Sequence, residues 1–527
     1  MSMFSKKTLA ATALVAVAGI TLVGCAPGQS PDPTGSAPSA TDTINLETWY
    51  APATFNPALA AATSDLQNAR LGFDTLLRAG EDGLVGGLAT DWEAVSSSEY
   101  VFTLREDATC ADGTAITPSI AAASFEYLTG LEEAGAVTWK NQAFGSGDPT
   151  FAADDDAGTL TVTLSAPYSQ LLGGISQPGL GIICPAGIED PEGLAAGTVE
   201  GAFSGPYTLT AQQPGASFTY TLRDDYDAWP AWTSVEGAPA KTMNFSVQPD
   251  GNTSANLLES GGIDAARFFD SNALRFSEDD GYSTVEFASS AYNLVFNQAP
   301  GSGSVFEGNQ ALRAAVAQAI DPKGFNEAGL DGLGVTQYSV NSASYQCALE
   351  DPSLLQSYDP AAASAALKGV TIRLLFMSNW DPAADYIAES LRAAGATVEV
   401  SAPDPAEWTS KMRTEPKTWD VAIAAENAGP GLIHLSIARY LGATYPDGGT
   451  NVVGADNPEG VGFFTEAMES ADPAEQCAAF ESAQRTILER VDMMPLITDT
   501  HRYVTRDGFA AHVFNGYWDP TAMRITG

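Results

Sequence analysis
Apolar and polar residues alternate along Ile44-Asn45-Leu46-Glu47-Thr48-Trp49, the repeat of a strand with one buried face, so folded structure is expected to begin there. The same period recurs at Tyr100, Phe102 and Leu104 and through Thr159-Leu160-Thr161-Val162-Thr163-Leu164. Between such runs the period lengthens. Ala383 to Ala394 reads as a helix, Gly395 as the glycine that ends it, and Thr397 to Val400 as the strand that follows. Asp112-Gly113 is a turn dipeptide, and Thr117-Pro118 pairs an N-cap with a proline at the first helical position. Helical and strand periods interleave over the whole chain, which predicts an α/β class.

Two stretches lack these patterns. At the start, Lys6 and Lys7 precede an apolar run from Thr8 to Val23, and Leu22-Val23-Gly24-Cys25 ends it. The run is shorter than the roughly 20 residues of a membrane span and has the anatomy of a lipoprotein signal, so residues 1–24 are expected to be removed and Cys25 to carry lipid. A second acyl chain makes such an anchor stable. Residues 25–42 are rich in Pro, Ser, Gly and Thr without periodicity and read as a flexible linker. About 480 residues remain, enough for roughly three domains of ~150 residues.

Composition narrows the function. Hydrophobic residues make up 44% of the chain, enough to build cores, and the formal charge is −41. Removing residues 1–24 takes away two lysines and no acid, leaving −43. Such a surface argues against nucleic acid and against direct binding to anionic lipid. Only three histidines occur, His434, His501 and His512, with no H-E-x-x-H, C-x-x-C, G-x-S-x-G, G-x-G-x-x-G or P-loop. The chain reads as a binding protein without catalytic residues, metal or cofactor, rather than as an enzyme or adhesin on a lipoprotein scaffold.

A series of ordered motifs gives that reading a family. Phe73-Asp74-Thr75-Leu76, Gly87-Leu88-Ala89-Thr90-Asp91-Trp92, Tyr100-Val101-Phe102-Thr103-Leu104-Arg105 and Asp112-Gly113-Thr114-Ala115-Ile116-Thr117 follow one another in the first third. Ser204-Gly205-Pro206-Tyr207, Arg223-Asp224-Asp225-Tyr226, Ser260-Gly261-Gly262-Ile263-Asp264, Tyr292 to Asn297 with Ala311 to Asp321, and Tyr358-Asp359-Pro360 continue it. In order and spacing the chain resembles the peptide/nickel-type (family 5) extracytoplasmic solute-binding lipoproteins of ABC importers.

The resemblance implies a two-lobed periplasmic-binding-protein-like fold, type II and cluster C-like, with an inserted extra domain. Lobe I would comprise 43–80, 200–288 and 494–527, the inserted domain 81–199, and lobe II 289–493. A monomer tethered at the outer face of the cytoplasmic membrane would capture oligopeptides or dipeptides by hinge closure and deliver them to a membrane permease. Non-peptide solutes of the same class are metal chelates, opines, glycosides and sugars. The family's aspartate for a peptide amino terminus is missing, and Glu426 stands nearest its place. Candidate ligand contacts are Tyr50, Phe55 and Asn56 after the first strand, Asn379 and Trp380 after Ile372 to Phe376, and Glu426 and Asn427 after Val421 to Ala424, at strand ends where α/β folds bind ligands. Four further cysteines allow three pairings. The implied domains favour Cys110 with Cys184 and Cys347 with Cys477, because the crossed pairs would bolt moving bodies together.

Overall fold
The computed structural model describes residues 41–427, 431–514 and 517–527. The expected signal segment, Cys25, the expected linker up to Ala40 and Gly429-Pro430 lie outside them. The alternating segments form strands where their periods place them: Thr43–Thr48, Glu99–Leu104 with Tyr100, Phe102 and Leu104 buried, and Thr159–Leu164. The predicted helix runs Asp381–Ala393, and Gly395 turns the chain with φ +100° into the strand Thr397–Ser401. Thr117 is the N-cap of the helix Pro118–Gly130, with Pro118 at its first turn.

A mixed sheet of eleven strands forms the spine. At one end Thr371–Leu375 pairs in parallel with Thr397–Ser401 and with Val421–Asn427; at the other, Thr43–Thr48 pairs in parallel with Thr242–Val247 and Ala265–Phe268. Two long antiparallel strands, Tyr282–Phe296 and Met493–Arg506, join the ends. Tyr282–Phe296 spans 15 residues, roughly 50 Å when extended. Its register with Met493–Arg506 shifts between Ala288 and Ser290, and beyond that bulge it gains Val421–Asn427 as a second partner.

Burial follows the strand period on both faces. Leu294 and Phe296 join one core with Leu374, Val421 and Ile423, whereas Val295 joins the opposite core with Leu375, Ala422 and Ala424. In the other half Ile44, Leu46, Phe218 and Phe245 fill one face, and Leu258, Ala266 and Phe268 the other. A separate four-stranded antiparallel sheet, Ala89–Ser96, Glu99–Leu104, Thr159–Leu164 and Pro149–Asp154, has its own core with Tyr100, Phe102, Phe125 and Phe144. Cys110 is bonded to Cys184 inside that core, and Cys347 to Cys477 against the opposite face of the spine. No helix among the described residues is long and apolar enough to cross a membrane.

Candidate functional site
A cavity of about 420 Å³ opens between the four-stranded-sheet body and the helices that cover the Val421–Asn427 end of the spine. One wall comes from Trp92 and Tyr100 of the small sheet, Arg70 at the end of the helix Thr63–Gly72, and the segment Ser169 to Gln177. The facing wall comes from Ser344 to Cys347, Gly431 to Ile433, and Gln476 in the helix Pro473–Glu489. Gln170, Gln177, Gln346 and Gln476 line it together with Ser169, Ser176 and Ser344. Each glutamine amide carries both a donor and an acceptor, the complement of a peptide group. Among the described residues, Arg70 and Asp82 bring charge to the lining. Arg70 is held by donating Nη2–H to the Ser176 carbonyl at 2.7 Å and Nη1–H to Thr75 Oγ1 at 3.1 Å.

The two walls are joined directly beside the cavity. Ser169 donates its N–H to the Met468 carbonyl (3.1 Å) and its hydroxyl to the Ala467 carbonyl (2.9 Å), and Gln170 donates Nε2–H to Gln476 Oε1 (3.0 Å). Tyr168 gives its single phenolic proton to the Gln142 carbonyl at 2.8 Å, so His434 Nε2–H, 3.0 Å away, donates to the phenol oxygen. Burial lowers the His434 pKa to about 3, which keeps this imidazole neutral. Gly173 lies against Leu432 of the facing wall, and a Cβ there would sit 2.8 Å from Leu432 Cδ2. The absent side chain lets the walls approach.

The loop Ser344 to Cys347 is fixed from behind. The Cys347–Cys477 bond ties it to the helix Pro473–Glu489, and from the same helix Gln484 donates Nε2–H to the Cys347 carbonyl (2.8 Å) while its Oε1 accepts from Leu349 N–H and Ser339 Oγ–H. Cys347 itself has φ +63°, a conformation that such external constraint can hold.

None of the seven residues expected to contact ligand lines this cavity. Phe55 is buried edge-on to Phe218, and Asn56 caps a short turn through Ala58 N–H while donating to Tyr127 Oη. Trp380 and Asn379 line a shallower hollow of about 60 Å³ with Tyr292 and Phe325, and Trp380 packs edge-on between Tyr292 and Trp408. Glu426 is buried, with Arg439 Nε at 3.1 Å and the Tyr440 hydroxyl donating to it at 2.7 Å. Burial raises its pKa and the guanidinium opposes that rise. The charge partner this carboxylate needs is therefore already in the chain. The Asn427 carbonyl accepts the Tyr345 hydroxyl at 2.8 Å. Tyr50 is 68% exposed, at the rim of a small pit described below. The cavity residues that sequence reading passed over, Ser169, Gln170, Gln346 and Gln476, stand in loops and at a helix start, where polar residues are unremarkable in sequence.

Comparisons with known proteins find a family model over most of the chain and relatives of similar length. Residues 83–443 match the model for the bacterial extracellular solute-binding proteins, family 5 Middle. A relative from Escherichia coli strain K12, named "Probable D,D-dipeptide-binding periplasmic protein", is 23% identical over 491 residues, covering 88% of this chain and 90% of its own. A crystal structure of a substrate binding protein from Microbacterium hydrocarbonoxydans complexed with 4-hydroxybenzoate hydrazide shares 34% identity at a TM-score of 0.74, covering 92% of this chain and all of that one. The unliganded open form of a periplasmic murein tripeptide binding protein superposes with a TM-score of 0.75 at 19% identity over 94% of this chain and 99% of its own.

Proposed function
The chain belongs to the bacterial extracellular solute-binding proteins of family 5, and from that premise we propose that it captures a short peptide between its two walls and hands it to an ABC permease. The observation that carries this reading is the cavity lining, four glutamines and three serines with two charged residues. Neutral amides bind main-chain groups of any sequence, and water bridges adapt them to varied side chains. A volume of about 420 Å³ lies within the range of small-molecule sites and suits two or three residues.

The same geometry supports closure by hinge bending. In this reading 43–80, 200–288 and 494–527 form lobe I, 81–199 an inserted domain, and 289–493 lobe II. The division at 288/289 falls inside the strand Tyr282–Phe296, at its bulge. The hinge on this strand would then flex where the ladder is already interrupted, while the second crossing, at 493/494, falls at the start of the strand Met493–Arg506. The contacts of Tyr168 to Gln170 with His434, Ala467, Met468 and Gln476 close the opposite side. A peptide spanning both walls favours the closed state because it gains contacts there that the open state lacks.

A second reading, a small aromatic amide or hydrazide, is favoured by Trp92, Tyr100 and Phe514 in the lining and by the ligand of the Microbacterium hydrocarbonoxydans relative. Calorimetric titration separates the two. Saturable binding of at least one peptide from a di- and tripeptide panel, with none for 4-hydroxybenzoate hydrazide, is the expected result; the reverse pattern replaces the first reading with the second.

The proposal includes a lipid anchor at Cys25, on the run Leu22-Val23-Gly24-Cys25. Radiolabelled palmitate is expected to label the wild type in cells and not Cys25→Ser. Equal labelling of both would remove the anchor from the account.

A further inference from the structure
Away from the large cavity, a pit of about 10 Å³ lies where the strand Thr43–Thr48 meets the helix Thr63–Gly72. That volume is close to the space of one water-sized group. Two buried side chains and the half-buried Trp49 line it, and each has a polar atom without a hydrogen-bond partner among the described residues: Glu47 Oε2, Trp49 Nε1 and Ser64 Oγ. Glu47 and Ser64 are each 4% exposed. The other Glu47 oxygen accepts the Arg267 N–H at 2.8 Å, and the Arg267 guanidinium lies 4.2 Å from the centre of the Trp49 ring. Buried polar atoms are nearly always paired, so three orphans around one void are an unusual concentration.

Their chemistry defines what would complete them. The indole N–H requires an acceptor, the carboxylate oxygen requires a donor, and the serine hydroxyl can serve as either. An ammonium cannot accept from the indole and would face the Arg267 guanidinium. A carboxylate would meet the lone pairs of Glu47 above about pH 7, the value to which burial raises its pKa. A hydroxyl satisfies all three atoms, accepting from Trp49 and Ser64 and donating to Glu47.

The rim is aromatic. Tyr50 lines the mouth, and Phe269, 45% exposed, packs edge-on to Trp49 with ring centres 4.1 Å apart. The pit also stands at the carboxyl ends of Thr43–Thr48 and Ala265–Phe268, neighbours in the sheet. Ser64 is six residues before Arg70, roughly 9 Å along the helix that also forms part of the large cavity's wall.

We infer that this pit is a second subsite, which takes the hydroxyl group of a small aromatic solute with its ring held at Tyr50 and Phe269. A resident water could supply the same hydrogen bonds, and the test separates the two sources. Phenol and fluorobenzene are the probes, alike in shape and differing in the hydroxyl. Ligand-observed NMR titration of the wild-type protein is expected to show phenol binding at least tenfold tighter than fluorobenzene. Ser64→Ala, Glu47→Gln and Trp49→Phe are each expected to reduce that ratio severalfold, and Ser64→Ala removes too little to endanger folding. A crystal soaked in phenol should show the phenolic oxygen within hydrogen-bond distance of Glu47 Oε2 and Trp49 Nε1. Equal binding of the two probes, a ratio untouched by Ser64→Ala and Glu47→Gln, binding at crystal concentration only, or a lone water that phenol does not displace would each overturn the subsite. Peptide titration reports on the large cavity, so failure here is distinguishable from failure of the peptide reading.

Discussion
Replacing both Cys347 and Cys477 by alanine is expected to destabilise the protein by about 5 kcal/mol and to weaken solute binding at least tenfold. The stability loss comes from the unfolded chain. The bond closes a loop over a separation of 130 residues, and the chain-entropy relation gives ~5 kcal/mol for a loop of that length. The affinity loss has a different origin. Cys347 lines the cavity and Cys477 adjoins Gln476, which lines it too and bonds across to Gln170. Without the bond, the loop keeps the Gln484 hydrogen bond to the Cys347 carbonyl as a tie to the helix. Urea unfolding of the folded variant, with calorimetry below its transition, checks both parts. A change under about 1 kcal/mol with unaltered binding would show that the bond neither constrains the unfolded chain nor holds the wall. The pair Cys110 and Cys184, separated by 74 residues, contributes ~4.5 kcal/mol by the same relation. It lies wholly within the small-sheet core, so its loss should leave cavity geometry less affected.

Arg439→Met is expected to cost about 3–5 kcal/mol, the usual consequence of leaving one member of a buried ion pair without its partner. Glu426 is 5% exposed, and its ionised form is favoured by Arg439 and the Tyr440 hydroxyl. The pH dependence has a definite sign. With the guanidinium gone, burial lifts the carboxyl pKa further above its unfolded value. The folded variant then holds a proton that the unfolded chain releases, so its stability is best preserved below the unfolded carboxylate pKa of about 4.5 and falls as pH rises through the folded value. The deficit relative to wild type should therefore be larger at pH 8 than at pH 5. Glu426→Gln combined with Arg439→Met removes the stranded charge and should recover most of it. A deficit independent of pH, or no recovery in the double variant, would mean that the pair's electrostatics do not govern this site.

The contrast between what the sequence disclosed and what it hid has a physical basis. Strand Thr159–Leu164 and helix Asp381–Ala393 were legible because side-chain period, capping residue and following glycine all lie within a few positions of each other. The disulfides were legible once domain membership limited the pairings. The strand Tyr282–Phe296 was harder. Its first half has the exposed face of an edge and its second half, Leu294 to Phe296, is buried on both faces, so no single period runs through it and the pattern alone does not mark it as one strand.

The groups that join the cavity walls were hidden for a different reason. Tyr168 meets His434 across 266 residues and Gln170 meets Gln476 across 306, distances over which no local pattern carries information. Glu426 drew attention as a carboxylate after a strand, but its partner Arg439 lies thirteen residues on, in a segment whose fold brings it back. Phe55 and Asn56 follow a strand end as ligand contacts do, yet Phe55 packs into the core and Asn56 caps a turn. The orphaned atoms of Glu47, Trp49 and Ser64 emerge only when the strand and helix are brought together.

The receptor account is tested most directly by native mass spectrometry of freshly purified wild type beside Gln346→Trp. Gln346 lines the cavity and is exposed, so an indole there takes up space a solute would occupy without entering a core. The account predicts that the wild type carries one small solute, released on mild activation, and that Gln346→Trp carries none while unfolding at the same temperature. A wild type that neither retains nor takes up any small solute, or the same adduct on both proteins, would contradict it.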